Sequence, residues 1–193
     1  MMAPAGLVLA GGASRRMPGR SKLVRAWRDT TVLGAVLCAA RDAGLAPLVV
    51  VAGPGATPAG SDVGADRWLE APPGGGRADS LAAGLAGLPP GPVVVLLGDE
   101  PGVDPAAITA LVERCVAAGA DAGRVSYADR PGHPVWLGPA ARAAAARVSG
   151  EASVWEVVSR PPLRCVLLER SGPAPIDVDS PEELARARRR EDG

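Results

Sequence analysis

Residues 6–23 read GLVLAGGASRRMPGRSKL, an apolar run that breaks at paired glycines into a loop carrying Arg15, Arg16, Arg20 and Lys22. A strand that is apolar without alternation is covered on both faces, as in a parallel sheet between two layers of helices. In an open sheet of that kind ligands sit beyond the carboxyl ends of the strands. Glycines there let backbone N–H groups come close to a phosphate, and cations neutralise it. Residues 11–16 (GGASRR) lack the third glycine of GxGxxG, and residues 12–22 do not fit GxxxxGK[ST]. On the loop alone, a phosphate site and a plain structural turn both stand.

The rest of the chain repeats the same alternation. Runs suited to buried strands lie at residues 6–10, 47–52, 92–97 and 164–168. Between them Leu33, Val36, Leu37 and Ala40 share one helical face, as do Ile108, Leu111, Val112, Cys115 and Val116, with a shorter set at Leu81, Leu85 and Leu88. Asp104-Pro105 marks one helix start, and Ser180-Pro181-Glu182-Glu183 reads as a capping box with proline at the first helical position. Residues 122–137, with Val125, Tyr127, Val135 and Trp136 around the turn 129–132, predict a hairpin that adds an antiparallel element. The fold expected is α/β and Rossmann-like, a mostly parallel sheet with helices on both faces, in one domain over residues 1–193. Residues 53–64 read as a loose loop rich in Gly, Pro and Ala, and no internal repeat is found.

Composition limits the function classes. The chain has 193 residues, 47% hydrophobic and 22% charged, with zero formal net charge, so nothing draws it globally to nucleic acid or to an anionic membrane surface. No apolar run reaches the ~18 residues of a membrane helix, and the arginines follow the first apolar stretch where a signal peptide would have them before it. The expected location is the cytoplasm. Cys38, Cys115 and Cys165 show no CxxC spacing and read as small buried apolar residues. Among 21 basic residues only Lys22 is a lysine, and it falls inside the loop under discussion. A compact ammonium is not interchangeable with a planar guanidinium where space is tight.

A second strand also ends unusually. Residues 91–103 read GPVVVLLGDEPGV, placing Gly98-Asp99-Glu100-Pro101 where a strand stops. A carboxylate at a strand end opposite a phosphate loop suits Mg²⁺, which takes one or two carboxylates together with phosphate oxygens. Asp177 and Asp179 precede the last helix, where they can favour its N-terminal dipole or join Asp99 at a metal. His133 is either a locally bonded turn residue or part of a substrate pocket.

Four segments in order then carry a resemblance over nearly the whole chain. Residues 9–23 resemble the LAGGxSxRMGxxK signature of the MobA-like NTP transferase family, residues 98–101 its GDxP motif, residues 130–135 its RxGHPV segment, and residues 176–181 its terminal DIDTPED. The nearest branch is that of molybdenum cofactor cytidylyltransferases: RSKL has no aspartate before Lys22, and residues 76–81 read GRADSL before a helix.

The resemblance implies a fold of the nucleotide-diphospho-sugar transferase type and an Mg²⁺-dependent transfer of a nucleotide from an NTP, CTP before GTP, to a phosphate-bearing acceptor such as molybdopterin. Leu9, Ala10, Gly11, Gly12, Ser14, Ser80 and Gly98 would line the nucleotide. Arg16 and Lys22 would contact the triphosphate and the developing charge, and Asp99 with Asp177, or with Asp179 in its place, would hold Mg²⁺. His133 and Pro134 would shape the acceptor pocket. Implied partners are the NTP, the acceptor and a client molybdoenzyme or chaperone, with the chain a monomer or dimer. A guanylyltransferase of the molybdopterin or phospholactate type, or a non-catalytic module that delivers cofactor, are the alternatives. Two departures are Pro18 after Met17, where the family has glycine, and Gly150-Glu151 in place of Gly-Asp.

Overall fold

The structure, a computed structural model, describes residues 3–11, 21–53 and 64–191. In chain order the elements are β1 (Ala5–Ala10), a 3-10 turn (Lys22–Val24), the short strands β2 (Ala26–Trp27) and β3 (Thr30–Thr31), α1 (Val32–Asp42), β4 (Leu48–Ala52), β5 (Arg67–Glu70), α2 (Arg77–Ala86), β6 (Val93–Leu97) and α3 (Pro105–Ala118). They continue with β7 (Ala122–Ser126), β8 (Pro131–Leu137), α4 (Pro139–Ala145), α5 (Val154–Val158), β9 (Cys165–Glu169) and α6 (Pro181–Glu191).

Seven strands form one sheet in the order β5-β4-β1-β6-β8-β7-β9, and β2 pairs with β3 in a small antiparallel ribbon. β1 runs parallel to both β4 and β6, and β5 is parallel to β4. β8 alone runs against its neighbours, inserted between β6 and β7. The hairpin read from residues 122–137 is therefore part of the main sheet. This reversal matters for function, because the start of β8 is brought to the same rim at which the parallel strands end.

The uninterrupted apolar strands are explained by the two helix layers. Along β1 and β6, Val8, Val94 and Leu96 face Leu33, Val36 and Leu37 of α1 and Ile108 and Leu111 of α3. The alternate residues, Leu7, Val93 and Val95, face Leu81 and Leu85 of α2 and Val154, Val157 and Val158 of α5. Gly84 lets α2 come close to the sheet, since a Cβ there would press on Leu7 and Val51. A third cluster joins Trp27 and Val32 to Val178, Leu184 and Ala187, seating α6 on the ribbon.

Local signals explain the helix starts. Thr31 accepts from the Gly34 N–H at 3.0 Å, Asp104 from that of Ala106 at 2.8 Å, and Ser180 from that of Glu183 at 3.2 Å. α3 ends at Gly119 in the left-handed region, φ +54°.

Two expectations are corrected. Of the cysteines only Cys115 is buried. Cys38 lies on the outer face of α1 and Cys165 on β9, both exposed. β9 is not a buried strand but the sheet's edge, so its side chains are exposed or only half-buried. Elements not foreseen are β5, short and bounded by Arg67 and Glu70, and α4, whose alanines offer no apolar contrast to read. Most of the 53–64 loop lies outside the described residues.

Candidate active site

A cavity of about 660 Å³ opens where β1 and β6 end, within the ~300–1,000 Å³ usual for small-molecule sites. Leu9 from β1 and Gly11 just after it, Leu97 from β6 and Asp99 two residues beyond it, and Ser80 from α2 line one part of it. The strand ends are tied together by the Gly98 N–H, which donates to the Leu9 carbonyl at 2.9 Å. Gly132 and His133 enter from the start of β8, Arg124 from β7, and Trp155 from α5.

Three carboxylates converge here from distant sequence. The Val178 N–H donates to the Asp99 carbonyl at 2.9 Å, and the Val178 side chain is buried against Trp27 and Leu184. In an extended segment alternate residues face opposite ways, so Asp177 and Asp179 turn together toward Asp99. Asp179 is held from the other side by its own N–H, which donates to Glu183 at 2.9 Å.

Lys22 sits between two of them. Ser21 caps its 3-10 turn, and buried Leu23 anchors that turn in the core. The ammonium, 4% exposed, donates to Asp99 Oδ2 and to Asp179 Oδ1, the latter at 2.5 Å. Burial works against the ammonium, but Asp99 and Asp179 outweigh it and hold its pKa above the ordinary lysine value. Asp99 nonetheless stays above the usual carboxylate range, first through burial and further through the charge of Asp177. Asp99 and Asp177 are near enough for the charge of one to act on the other, and carboxylate oxygens are the donors a divalent metal takes. In this respect the donor set fits a divalent metal.

Glu100 is 2% exposed. Burial, then its hydrogen bond to Asp177 and the charges of Asp177 and Asp99, raise its pKa well above the carboxylate range. His133 lies beside it, Nδ1 to Oε2 3.9 Å. Burial pushes the imidazole down to about 4, Asp177 opposes the shift, and Arg130 and Arg124 reinforce it.

The sign of the resulting linkage follows. The folded pKa of His133 is below the unfolded value of about 6.5, so in this window the unfolded chain takes up a proton that the folded chain refuses. Stability from His133 is complete above pH 6.5 and falls as pH drops toward 4, by about 3 kcal/mol at most. His133→Gln should therefore lose about 2–3 kcal/mol less than wild type between pH 7 and 4.5 in urea titrations. An equal loss in both proteins would refute this account.

The start of α2 is latched to the loop after α4. The Gly150 carbonyl accepts from the Ala78 N–H at 2.9 Å, while Asp79 Oδ2 accepts from the N–H groups of Gly76 at 2.7 Å and Gly150 at 3.1 Å. A Cβ on Gly76 would overlap the Gly150 carbonyl, a backbone group that cannot rotate away. Gly76→Ala should destabilise by about 1–3 kcal/mol. In a domain of this size that lowers Tm by roughly 3–10 °C in calorimetry; an unchanged Tm would contradict the latch.

The residues expected from sequence are partly gathered. Leu9, Gly11, Ser80, Asp99, Asp177 and His133 line the cavity. Ala10 and Pro134 are buried without lining it, and Gly98 joins the strand ends through its backbone. Lys22 stands behind Asp99. Gly12, Ser14 and Arg16, with the other loop arginines Arg15 and Arg20, lie outside the described residues. Sequence reasoning missed Arg124 and Trp155. The one available signal was an arginine inside a short strand, and nothing in the sequence pairs it with a tryptophan 31 positions away.

The family model described as MobA-like NTP transferase domain matches residues 6–165. No curated protein matches the chain. Among solved structures it is similar to Rv0371c from Mycobacterium tuberculosis H37Rv, at 33% identity over 97% of this chain and 99% of that one, with a TM-score of 0.83. The manganese complex of Rv0371c superposes with a TM-score of 0.79 at 31% identity, over 97% and 99% of the chains. Molybdopterin-guanine dinucleotide biosynthesis protein A from Archaeoglobus fulgidus, 21% identical over 97% and 98% with a TM-score of 0.71, shows the shared fold alone.

Proposed function

We propose a reaction from one premise: this chain belongs to the MobA-like NTP transferase family. It is a nucleotidyltransferase, and the reading that its site supports best is transfer of CMP from CTP to the phosphate of a molybdopterin-type acceptor. The observation that carries the reading is the facing pair of strand ends, with Gly11 just after β1 and, just after β6, the half-buried Asp99 bonded to Lys22 and acted on by the charge of Asp177.

An oxygen of the acceptor phosphate forms a bond to the α-phosphorus of CTP. The bond from that phosphorus to the β-bridging oxygen breaks, and pyrophosphate leaves with the electron pair. Both reactants are anions, so the site's task is to hold them in line and neutralise charge. Leu9, Gly11 and Ser80 form the nucleotide side, and Arg16, with Gly12 and Ser14, is assigned to the same side from the sequence. Lys22 keeps Asp99 and Asp179 in place and contributes positive charge near the phosphates. Asp99 and Asp177 would hold Mg²⁺, whose bound charge stabilises the phosphate oxygens; manganese in the mycobacterial relative supports a divalent ion. His133, neutral at pH 7, borders the acceptor side as a hydrogen-bonding group and not as a general acid. CTP is favoured over GTP by the sequence of residues 20–23 and 76–81. Because NTP supply is cytoplasmic, the chain would act there, as a monomer or dimer, passing product to a client molybdoenzyme or its chaperone.

The test is pyrophosphate release from CTP, GTP or ATP with molybdopterin, with and without Mg²⁺. Release with CTP, Mg²⁺ and acceptor together is expected. Release with GTP alone moves the reading to guanylyl transfer, and binding of triphosphate without release in any mixture makes the chain a delivery module.

A further inference from the structure

Three of the four carboxylates lining the cavity have a cationic partner. Asp99 pairs with Lys22, Asp177 with Arg130 at 3.6 Å, and Glu151 with Arg77 at 3.8 Å, while the fourth, Glu100, is buried and, among the described residues, has no cation paired to it and no hydrogen-bond partner at its Oε2. Arg130 is occupied further by the Pro175 carbonyl at 2.8 Å. Arg124 differs. Among the described residues no carboxylate pairs with it, and its buried Nε has no hydrogen-bond partner. Its guanidinium lies over the ring of Trp155, 4.5 Å from the centroid.

A guanidinium keeps its charge at any working pH, so the cavity wall carries an uncompensated cation. Stacking on the indole fixes the plane of that cation and leaves its edge to form paired hydrogen bonds. Trp155 is itself fixed, because Ser153 and Glu156 cap α5 reciprocally, with Ser153 N–H to Glu156 at 2.7 Å and Glu156 N–H to Ser153 at 3.3 Å. In the sheet order, β7 is three strands from β1, roughly 14 Å at ~4.8 Å per strand. Arg124 therefore belongs to the half of the cavity opposite Gly11.

We propose that Arg124, held flat on Trp155, binds an oxyanion of the acceptor, a phosphate or a carboxylate, and so sets which acceptors this chain uses. The inference rests on the transfer reading for the word acceptor, but the oxyanion site stands on the geometry alone.

The experiment measures, by calorimetry on the full chain without nucleotide, the affinities of phenyl phosphate, benzoate and neutral benzyl alcohol, and separately that of CTP with Mg²⁺. Arg124→Met keeps the apolar stem over Trp155 and removes the charge. It should weaken the better of the two anions at least about tenfold, the loss expected for a charge-assisted hydrogen bond. Benzyl alcohol and CTP should change less than twofold. Arg124→Lys, which preserves charge and folding but not the planar fork, should give an intermediate loss of about threefold. The anion that responds identifies the group. Unchanged anion affinity in Arg124→Met and Arg124→Lys overturns the proposal, and so does a tenfold loss of CTP affinity, which would put the guanidinium on the triphosphate. Anion binding that depends on Arg124 in a protein that binds no CTP would keep this site and overturn the transfer reading instead.

Discussion

Asp99→Asn should yield a folded protein whose pyrophosphate release with CTP, Mg²⁺ and acceptor is about a thousandfold below wild type. The amide preserves shape, and the bond that draws residues 176–179 to β6 uses the Asp99 backbone carbonyl, so the frame survives. What is lost is a charge at the point where the proposed reaction would bring nucleotide, metal and acceptor together, and removing a single preorganised electrostatic contact of this kind costs about 10²–10³ in kcat. Loss of the proposed metal position would add to that. Folding should suffer little: burial and Asp177 already disfavour the carboxylate, and Lys22 retains Asp179. Turnover like wild type in a correctly folded Asp99→Asn protein would remove the basis for the assignment.

Replacing Lys22 should damage both stability and turnover. The ammonium is almost wholly buried and bonded to two carboxylates, with Asp179 at 2.5 Å. Lys22→Met removes the cation that the two carboxylates share; breaking a buried pair costs about 3 kcal/mol, and roughly 6–12 °C in Tm for a domain of this size. Lys22→Arg keeps the charge, but a planar guanidinium cannot occupy the space of a compact ammonium, so turnover should fall about a hundredfold even where folding is largely rescued. Alkali supplies an independent check. The folded pKa of Lys22 is raised, so its stabilisation is complete below the unfolded pKa of about 10.4 and is lost as pH climbs through the folded value. The stability gap between wild type and Lys22→Met should therefore be constant from pH 7 to 10 and shrink only above that. A fully active Lys22→Arg enzyme would show that the lone lysine has no special role.

The strands and their two-sided burial were legible because apolar runs at residues 6–10, 47–52 and 92–97 have one stable solution, a parallel sheet between helix layers. Helix starts at Asp104 and Ser180 were legible because a cap is a local event, in which one side chain satisfies one backbone N–H. β9 was misread because composition does not report a strand's place in the sheet. Its Val and Leu residues resemble those of β4, yet β9 has a neighbour on one side only. The exposed Cys165 has the same cause, while Cys38 is exposed because it falls on the outer face of α1.

The division between the two sources of information follows from range. From residue order alone came the α/β architecture, the hairpin at residues 122–137 and the acid at the end of β6, each set by neighbours within a few positions. Only the tertiary structure chose Asp179 as Lys22's second partner, left Asp177 to couple Asp99 with Glu100, and laid Arg124 on Trp155. Those choices depend on β8 reversing between β6 and β7, on Val178 entering the core beneath Trp27, and on α5 closing over the sheet. They join side chains 31 to 157 residues apart, contacts that follow from packing the whole core and not from any local preference along the chain.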